Sequence, residues 1–443
     1  MRTLLVLGAG RSSGALIEYL LGQASAQDWQ VIVADKVLES AQSAIHHHER
    51  GAAICFDPDD AEGSRAILAS ADVVISLLPP SLHFDVAKRC LILRKHFLTA
   101  SYVTEEMRSL HEDAKSAGLL FLNECGLDPG IDHMSAMEMI DRIQAEGGRI
   151  QSFESFAGGL IAPETDPENP WRYKFTWNPR NVVTAGQQGD AEYLVNGLRK
   201  RVAYEELFQC TTRISINDFG EFEGYPNRDS LRYIKLYDLR EVRTMIRGTL
   251  RFKGFCSAWN VLVRLGCCYD RGMINNADTM THSDFINTFL KTGKGTPEER
   301  LSAQLDIPID GHEMKCLRWS GFFDAEFVGI KAGTPAAILE HILMKKWRLK
   351  PGDRDLVVMW HRFSYEFRKE MKAVQYCLAL KGTDQSHTAM ALTVGLPLGI
   401  ATRLLLENKI QQRGVVIPLK REFYGPILHE LSLRGISFRM TDA

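Results

Sequence analysis

Along the first 125 residues, short unbroken apolar runs alternate with longer segments of helical periodicity. TLLVLG, QVIVAD, AAICFD, ADVVISLLP, HFLTAS and LLFLNE read as strands, and GALIEYLLG, VLESAQSAIHH, FDVAKRCLILRK and EEMRSLHEDAKSAG read as helices between them. A strand that is apolar at every position is buried on both faces. The repeat therefore predicts an α/β fold, a Rossmann-type doubly wound parallel sheet with helices on both sides.

After about residue 130 the rhythm changes. RIQSFESFAGGL, RYKFTWNP and RISINDFGEFEGY read as longer strands with polar alternation, which predicts a second, mixed α+β domain. The polar, Gly- and Pro-punctuated stretch KTGKGTPEERLSAQLDIPIDGHEM reads as an inserted loop and helix region, and DLVVMWHRFSYEF with MKAVQYCLALKG as paired strands. The segment from Ala389 to Leu406 is nearly apolar enough to cross a membrane. Thr388, Thr393, Pro397 and Arg403 in or beside it favour a buried helix instead. Its apolarity predicts that it packs back on the first domain, giving a dinucleotide-type domain from residues 1–128 and 386–443 and an inserted domain from 129–385.

The 443 residues are 45% hydrophobic and 24% charged with a formal net charge of −2, the balance of an ordinary globular chain without a basic field for nucleic acid or anionic lipid. Neither a nucleic acid nor a membrane is an expected partner. Nine cysteines without CxxC pairs suit neither a disulfide framework nor a zinc site, and the apolar N-terminal stretch is too short for a signal peptide; a cytoplasmic location is expected. The run HHHER at 46–50 invites a metal, but consecutive histidines on a helix diverge, so an exposed helix end is expected and no metal site.

Candidate chemistry gathers at strand ends. LLVLGAGRSSG places Gly8 and Gly10 after a strand and before a helix, where backbone N–H groups approach a pyrophosphate, with Arg11, Ser12 and Ser13 in the same turn. The third glycine of the dinucleotide fingerprint is displaced, since Ser13 holds its position and Gly14 follows. Asp35 ends the second strand, where an acidic side chain accepts the ribose hydroxyls. This favours NAD over NADP, although Lys36 beside it softens the repulsion of a 2′-phosphate. Asp57, Ser76 and Leu77 follow the third and fourth strands at the edge where ligands sit, or serve as ordinary loop.

The motifs SLLPPSLH, TASYVTEEMR, NECGLDPGIDHMSAM, SFAGGLIAPETDPENPWRYKFTWNPRNVV, FEGYPNRDSL, MIRGTLRFKGF and TAMALTVGLPLGIA occur in order along nearly the whole chain. Together they resemble saccharopine dehydrogenase of the glutamate-forming type, also called saccharopine reductase. The resemblance implies a Rossmann domain made from both chain ends, an inserted substrate and dimerisation domain, and a homodimer. It also implies oxidation of saccharopine with water and a nicotinamide cofactor to glutamate and 2-aminoadipate 6-semialdehyde. By motif, Ser101, Tyr102, Asp128 and Arg228 correspond to substrate-contacting positions, and Arg247, Gly248 and Thr249 to a segment near the cofactor. Arg228 suits a carboxylate clamp, and Asp128 suits the substrate amine and the role of general base. A surface ion pair and a helix N-cap are the plain alternatives. His133 and Cys125 stand behind Asp128 as bases, with a structural histidine and an inert thiol as their ordinary readings. Competing functions are a carboxynorspermidine dehydrogenase-like imine reductase and a non-catalytic nucleotide-binding protein.

Overall fold

The computed structural model describes residues 1–187 and 189–442. The chain forms two compact units, Met1–Gly147 with Ser386–Arg439, and Gly148–Gln385 with Met440–Ala443. The first contains strands β1 (Arg2–Leu7), β2 (Trp29–Asp35), β3 (Gly51–Cys55), β4 (Val73–Ser76), β5 (His96–Thr99) and β6 (Leu120–Leu122). They lie in the order β3-β2-β1-β4-β5-β6, and the strand Gly414–Val416 adds parallel to β6. Every pairing is parallel, and Leu4 through Leu7 are fully buried at four successive positions, so both faces of the sheet are covered. The strand order reverses direction between β1 and β4, where an open α/β sheet leaves a crevice at its carboxyl edge.

The C-terminal return is held by close helix packing. Helix α1 (Gly14–Gln27) buries Leu16, Ile17, Tyr19 and Leu20 and ends at Asp28 in the left-handed region at φ 52°. The apolar helix Ala389–Leu406 lies against it with 78% of its length buried, as its composition predicts. Among the described residues it is the one helix long and apolar enough to cross a membrane. A Cβ at Gly395 would stand 2.8 Å from the Leu16 backbone nitrogen, and one at Gly399 2.6 Å from the Tyr19 ring, so the two glycines set the approach of the helices. Arg403 closes the far end, donating to the Tyr19 hydroxyl at 3.0 Å, to Glu407 at 2.8 Å and to Glu430 at 2.6 Å.

Four elements differ from the pattern. Helix Ala61–Ala69, capped by the Asp60 carboxylate on the Gly63 N–H, falls where no helix is predicted, in a stretch with too few apolar positions to show a period. EEMRSLHEDAKSAG divides at Leu110 into helices Glu105–Ser109 and His111–Ser116. RISINDFGEFEGY is a hairpin, Thr212–Ile216 with Gly220–Pro226, turning at Asp218 with φ 69°. RYKFTWNP is no strand: Tyr173 and Phe175, with Trp171 just before them, plug the aromatic core around Trp259 and Trp347, Lys174 between them is buried as well, and Phe175 makes one isolated bridge to Arg348. The first unit also runs past residue 128 to Gly147, because helix Ile131–Ala145 packs on helix Arg421–Leu433, with the Tyr424 hydroxyl donating to Asp141.

The second unit is built on one mixed sheet. Its strands lie in the order Thr212–Ile216, Gly220–Pro226, Thr244–Phe252, Arg149–Ile161, Asp355–Phe367, Glu370–Lys381 and Arg439–Asp442. Ala191–Val195 also pairs with Thr244–Phe252, and Leu198–Val202 lies beyond it. The long pair Asp355–Phe367 and Glu370–Lys381 is antiparallel, in register Leu356 to Lys381, as the pattern predicts. In the inserted region, helix Pro297–Leu305 starts at a capping box of Thr296 and Glu299 and is followed by His312–Trp319.

Gly395→Ala is expected to cost about 1–3 kcal/mol in urea unfolding, since its methyl group meets backbone that cannot rotate away. Gly22→Ala, on the open side of α1, is expected to be neutral or slightly stabilising in the same measurement.

Candidate functional site

The turn after β1 is built for close approach. Gly8 has φ 100°, its N–H donates to the Ala34 carbonyl at 2.8 Å, and a Cβ there would press within 3.1 Å of the Leu77 carbonyl oxygen. The Leu77 N–H in turn donates to the Leu7 carbonyl at 2.8 Å, so the end of β4 lies directly against the turn. A Cβ at Gly10 would meet nothing within 4 Å. Helix α1 starts here with no side-chain cap on its first turn, which leaves backbone N–H groups and the positive end of the helix dipole for an anion. Ser13, 2% exposed, turns its hydroxyl onto the Gly10 carbonyl at 2.7 Å. That inward bond explains how a serine fits where the fingerprint has its third glycine. Arg11 is exposed and Ser12 half-buried in the same turn.

Asp35 ends β2 with both carboxylate oxygens engaged, one by the Ala9 N–H at 2.7 Å and one by the Val37 N–H at 2.9 Å. The residue braces the glycine turn from the neighbouring strand. Asp57 pairs with Lys36 at 3.1 Å and accepts the Asp59 N–H, and these two bonds lower its pKa. An open space at Gly10, an uncapped helix start and an acidic residue after β2 fit a dinucleotide. The histidines of HHHER form the turn after helix Leu38–Ile45, with His46 and His47 exposed at φ 46° and 55°.

At the carboxyl ends of β4, β5 and β6 the structure gathers the other residues of the first unit. His83, which no motif reading singles out, links two predicted positions. Its Nδ1 lies 3.0 Å from Ser76 Oγ and its Nε2 2.8 Å from Ser101 Oγ. Burial lowers its pKa to about 4, so the ring is neutral at pH 7 and donates at one nitrogen while accepting at the other. The Tyr102 hydroxyl donates to Asp128 Oδ1 at 3.0 Å. Asp128 is not the N-cap of the following helix, a place taken by Gly130. A Cβ at Gly130 would fall 2.1 Å from the Gly126 carbonyl oxygen, so the loop that carries Asp128 closes tightly on itself.

Glu124 is a second residue missed by motif reasoning, and it meets His133, which the sequence offers as a base or as a structural histidine. Glu124 Oε2 lies 2.7 Å from His133 Nε2, and both residues are buried. His133 is thus a hydrogen-bonded interior histidine. Burial pushes the Cys125 thiol far up, which makes it inert. The available signal was the density of polar residues in NECGLDPGIDH, which a turn alone does not require.

The remaining predicted residues lie in the second unit. Arg228 is exposed, with its carbonyl accepting the Glu192 N–H at 3.2 Å. Arg247 is buried at 6% exposure, its guanidinium 3.9 Å from the centre of the Tyr233 ring. Gly248 has a packing reason of its own, since a Cβ would stand 2.1 Å from the Tyr225 carbonyl oxygen and 2.7 Å from Phe156. Thr249 Oγ1 accepts from Asn227 at 3.1 Å, and Tyr225 pairs with Thr249 across the sheet, so the two motifs RGT and YPNRDS are neighbours.

Residues 4–122 match the saccharopine dehydrogenase NADP binding domain, and residues 126–436 match the saccharopine dehydrogenase C-terminal domain. The chain belongs to the saccharopine dehydrogenase family. It is 31% identical to the saccharopine dehydrogenase [NADP(+), L-glutamate-forming] of Schizosaccharomyces pombe, with 98% of each chain covered. The apo saccharopine dehydrogenase (L-Glu forming) of Saccharomyces cerevisiae superposes with a TM-score of 0.89 at 31% identity over 100% of both chains. The alpha-aminoadipic semialdehyde synthase of Arabidopsis thaliana is 34% identical over 98% of this chain and 44% of its own length. The chain therefore spans about half the length of this larger relative and of its mouse counterpart, 47% of which is covered. The homospermidine synthase of Legionella pneumophila shares the fold at a TM-score of 0.56 and 11% identity. The first unit is thus a nicotinamide-dinucleotide-binding domain of this family.

Gly10→Val is expected to leave thermal stability unchanged, because its side chain enters open space, and to weaken dinucleotide binding by about tenfold or more, or ~1.4 kcal/mol, in fluorescence titration. His83 and His96 give a pH signature, since burial lowers both to about 4 and His96 Nδ1 accepts the Leu120 N–H. Between about pH 4 and 6.5 the unfolded chain binds more protons at these sites, so stability rises with pH across that window. Urea unfolding of His83→Gln at pH 4.5 and 7 is expected to show a smaller difference than the parent, by an amount on the order of 3 kcal/mol at most.

Proposed function

We propose that the chain oxidises saccharopine, with water and NADP, to glutamate and 2-aminoadipate 6-semialdehyde. The observation that carries this reading is the end-to-end match to a glutamate-forming enzyme together with the Tyr102–Asp128 pair at the sheet edge that holds the glycine turn. The nicotinamide ring supplies the hydride acceptor for the carbon beside the secondary amine. Asp128, oriented by the Tyr102 hydroxyl, accepts the proton of the secondary ammonium so that its nitrogen lone pair can drive the oxidation. After releasing that proton it takes one from the water that adds to the oxidised carbon. It then returns that proton to the nitrogen and takes the proton of the carbinolamine hydroxyl as the carbon–nitrogen bond breaks, freeing glutamate and the aldehyde. Ser101, positioned by neutral His83, and Arg228 are assigned to the substrate, Arg228 to a carboxylate through paired hydrogen bonds. Arg247, Gly248 and Thr249 are assigned to the cofactor.

NADP replaces the NAD that Asp35 alone suggests. The matched domain and both yeast relatives carry NADP in their names. Asp35 spends both oxygens on backbone N–H groups, so it is a brace for the turn, and Lys36 beside it can exchange Asp57 for a 2′-phosphate.

The test is absorbance of reduced nicotinamide when purified protein meets saccharopine with NADP or NAD in parallel. Faster reduction of NADP is expected, and no reduction with either dinucleotide removes the proposed reaction. Asp128→Asn is expected to lower kcat by about a hundredfold or more with dinucleotide affinity intact.

A further inference from the structure

Glu124 sits at 4% exposure and φ 54°, in the loop between β6 and helix Ile131–Ala145. A buried carboxylate costs several kcal/mol unless hydrogen bonds replace its water. The Val103 N–H and His133 meet the carboxylate, and together with the main-chain N–H of Glu124 itself the contacts straddle one residue. The Glu124 N–H donates to the Ser101 carbonyl at 3.0 Å, and Glu124 Oε1 accepts the Val103 N–H, also at 3.0 Å. Tyr102 stands between these two anchor points, and its hydroxyl donates to Asp128 Oδ1. Asp128 is carried by the same loop as Glu124, four residues on, so one buried residue, through its main-chain N–H on the Ser101 side and its carboxylate on the Val103 side, references both ends of the Tyr102–Asp128 bond. The third anchor is His133, fully buried in the helix that follows, whose Nε2–H donates to Glu124 Oε2 at 2.7 Å. Two apolar residues of similar volume would fill this space without the desolvation cost.

We infer that the Glu124–His133 pair is a positioning device for the reaction, clamping the β5 loop on either side of Tyr102 so that its hydroxyl meets Asp128. This rests on the proposed role of Asp128. Neither residue of the pair takes a proton from the substrate; each acts through Tyr102. Displacement of a reacting group by about 1 Å can cost on the order of a hundredfold in rate, which is the scale of benefit such a clamp can return.

The test compares Glu124→Ala, which removes the acceptor for Val103, with Glu124→Gln, which keeps an amide oxygen for it. His133→Gln keeps an N–H for Glu124 and serves if Glu124→Ala does not fold. Glu124→Ala is expected to lower kcat by about 10–100-fold with KM for the dinucleotide unchanged, and Glu124→Gln to recover most of the loss. Combined with Tyr102→Phe, Glu124→Ala is expected to add little to the Tyr102→Phe defect; losses that simply multiply overturn the clamp. Amide hydrogen exchange at Val103, read in the folded protein, is expected to accelerate in Glu124→Ala while strand β5 stays protected. Unchanged exchange there overturns the clamp even if saccharopine proves not to be the substrate. An inert parent protein with a faster-exchanging Val103 overturns the proposed reaction and leaves the clamp standing.

Discussion

A side chain at Gly8 would press on the Leu77 carbonyl, so the meeting of β1, β2 and β4 at their carboxyl ends depends on one absent Cβ. Everything else at this edge takes its place from that closeness. The Gly8 N–H reaches Ala34 on one side and the Leu77 N–H reaches Leu7 on the other, which extends the sheet's ladder into the turn. With the turn fixed, Asp35 can brace it through Ala9, and α1 starts with no side-chain cap on its first turn. The start of α1 is secured in turn by the returning C-terminal helix, whose Gly395 and Gly399 admit Leu16 and Tyr19 at contact distance. A segment nearly four hundred residues away in sequence thereby packs against the start of α1 beside the glycine turn.

Two buried histidines at this edge are used in different ways because their partners differ. His83 lies among hydroxyl groups, so burial outweighs every other influence and the neutral ring can link Ser76 to Ser101 only by donating at one nitrogen and accepting at the other. His133 faces a carboxylate and donates to it, which holds Glu124 in a fixed orientation. The first arrangement ties β4 to β5, and the second ties β6 and its helix to the β5 loop. Tyr102 and Asp128 lie between the two ties.

The legible parts of the sequence were those whose signal is local. Continuous apolar strands, the glycines before α1, Asp35 at the end of β2 and the apolar C-terminal helix each report burial or turn geometry within a few residues. RYKFTWNP has true alternation but no neighbouring strand to pair along its length, so its period reflects an aromatic plug and not a ladder. Helix Ala61–Ala69 starts at the Asp60 cap, and Ile67 and Leu68 are its only large apolar residues, adjacent and so without a period. His83 and Glu124 were illegible as site residues because their partners lie in other loops: Ser101 is 18 positions from His83, and Val103 is 21 from Glu124.

By itself the sequence determined the doubly wound sheet, the discontinuous first unit, the glycine turn after the first strand and, through long ordered motifs, the family. These follow from patterns of burial and turn formation that each segment carries alone. Only the tertiary structure decided that Asp35 serves as a brace, that Ser13 stands in for a glycine by bonding inward, and that Tyr102 is gripped against Asp128 from both sides. Each of these depends on which hydrogen-bonding groups meet when separate strand ends are brought to one edge, and that is set by packing across the sheet, not by spacing along the chain.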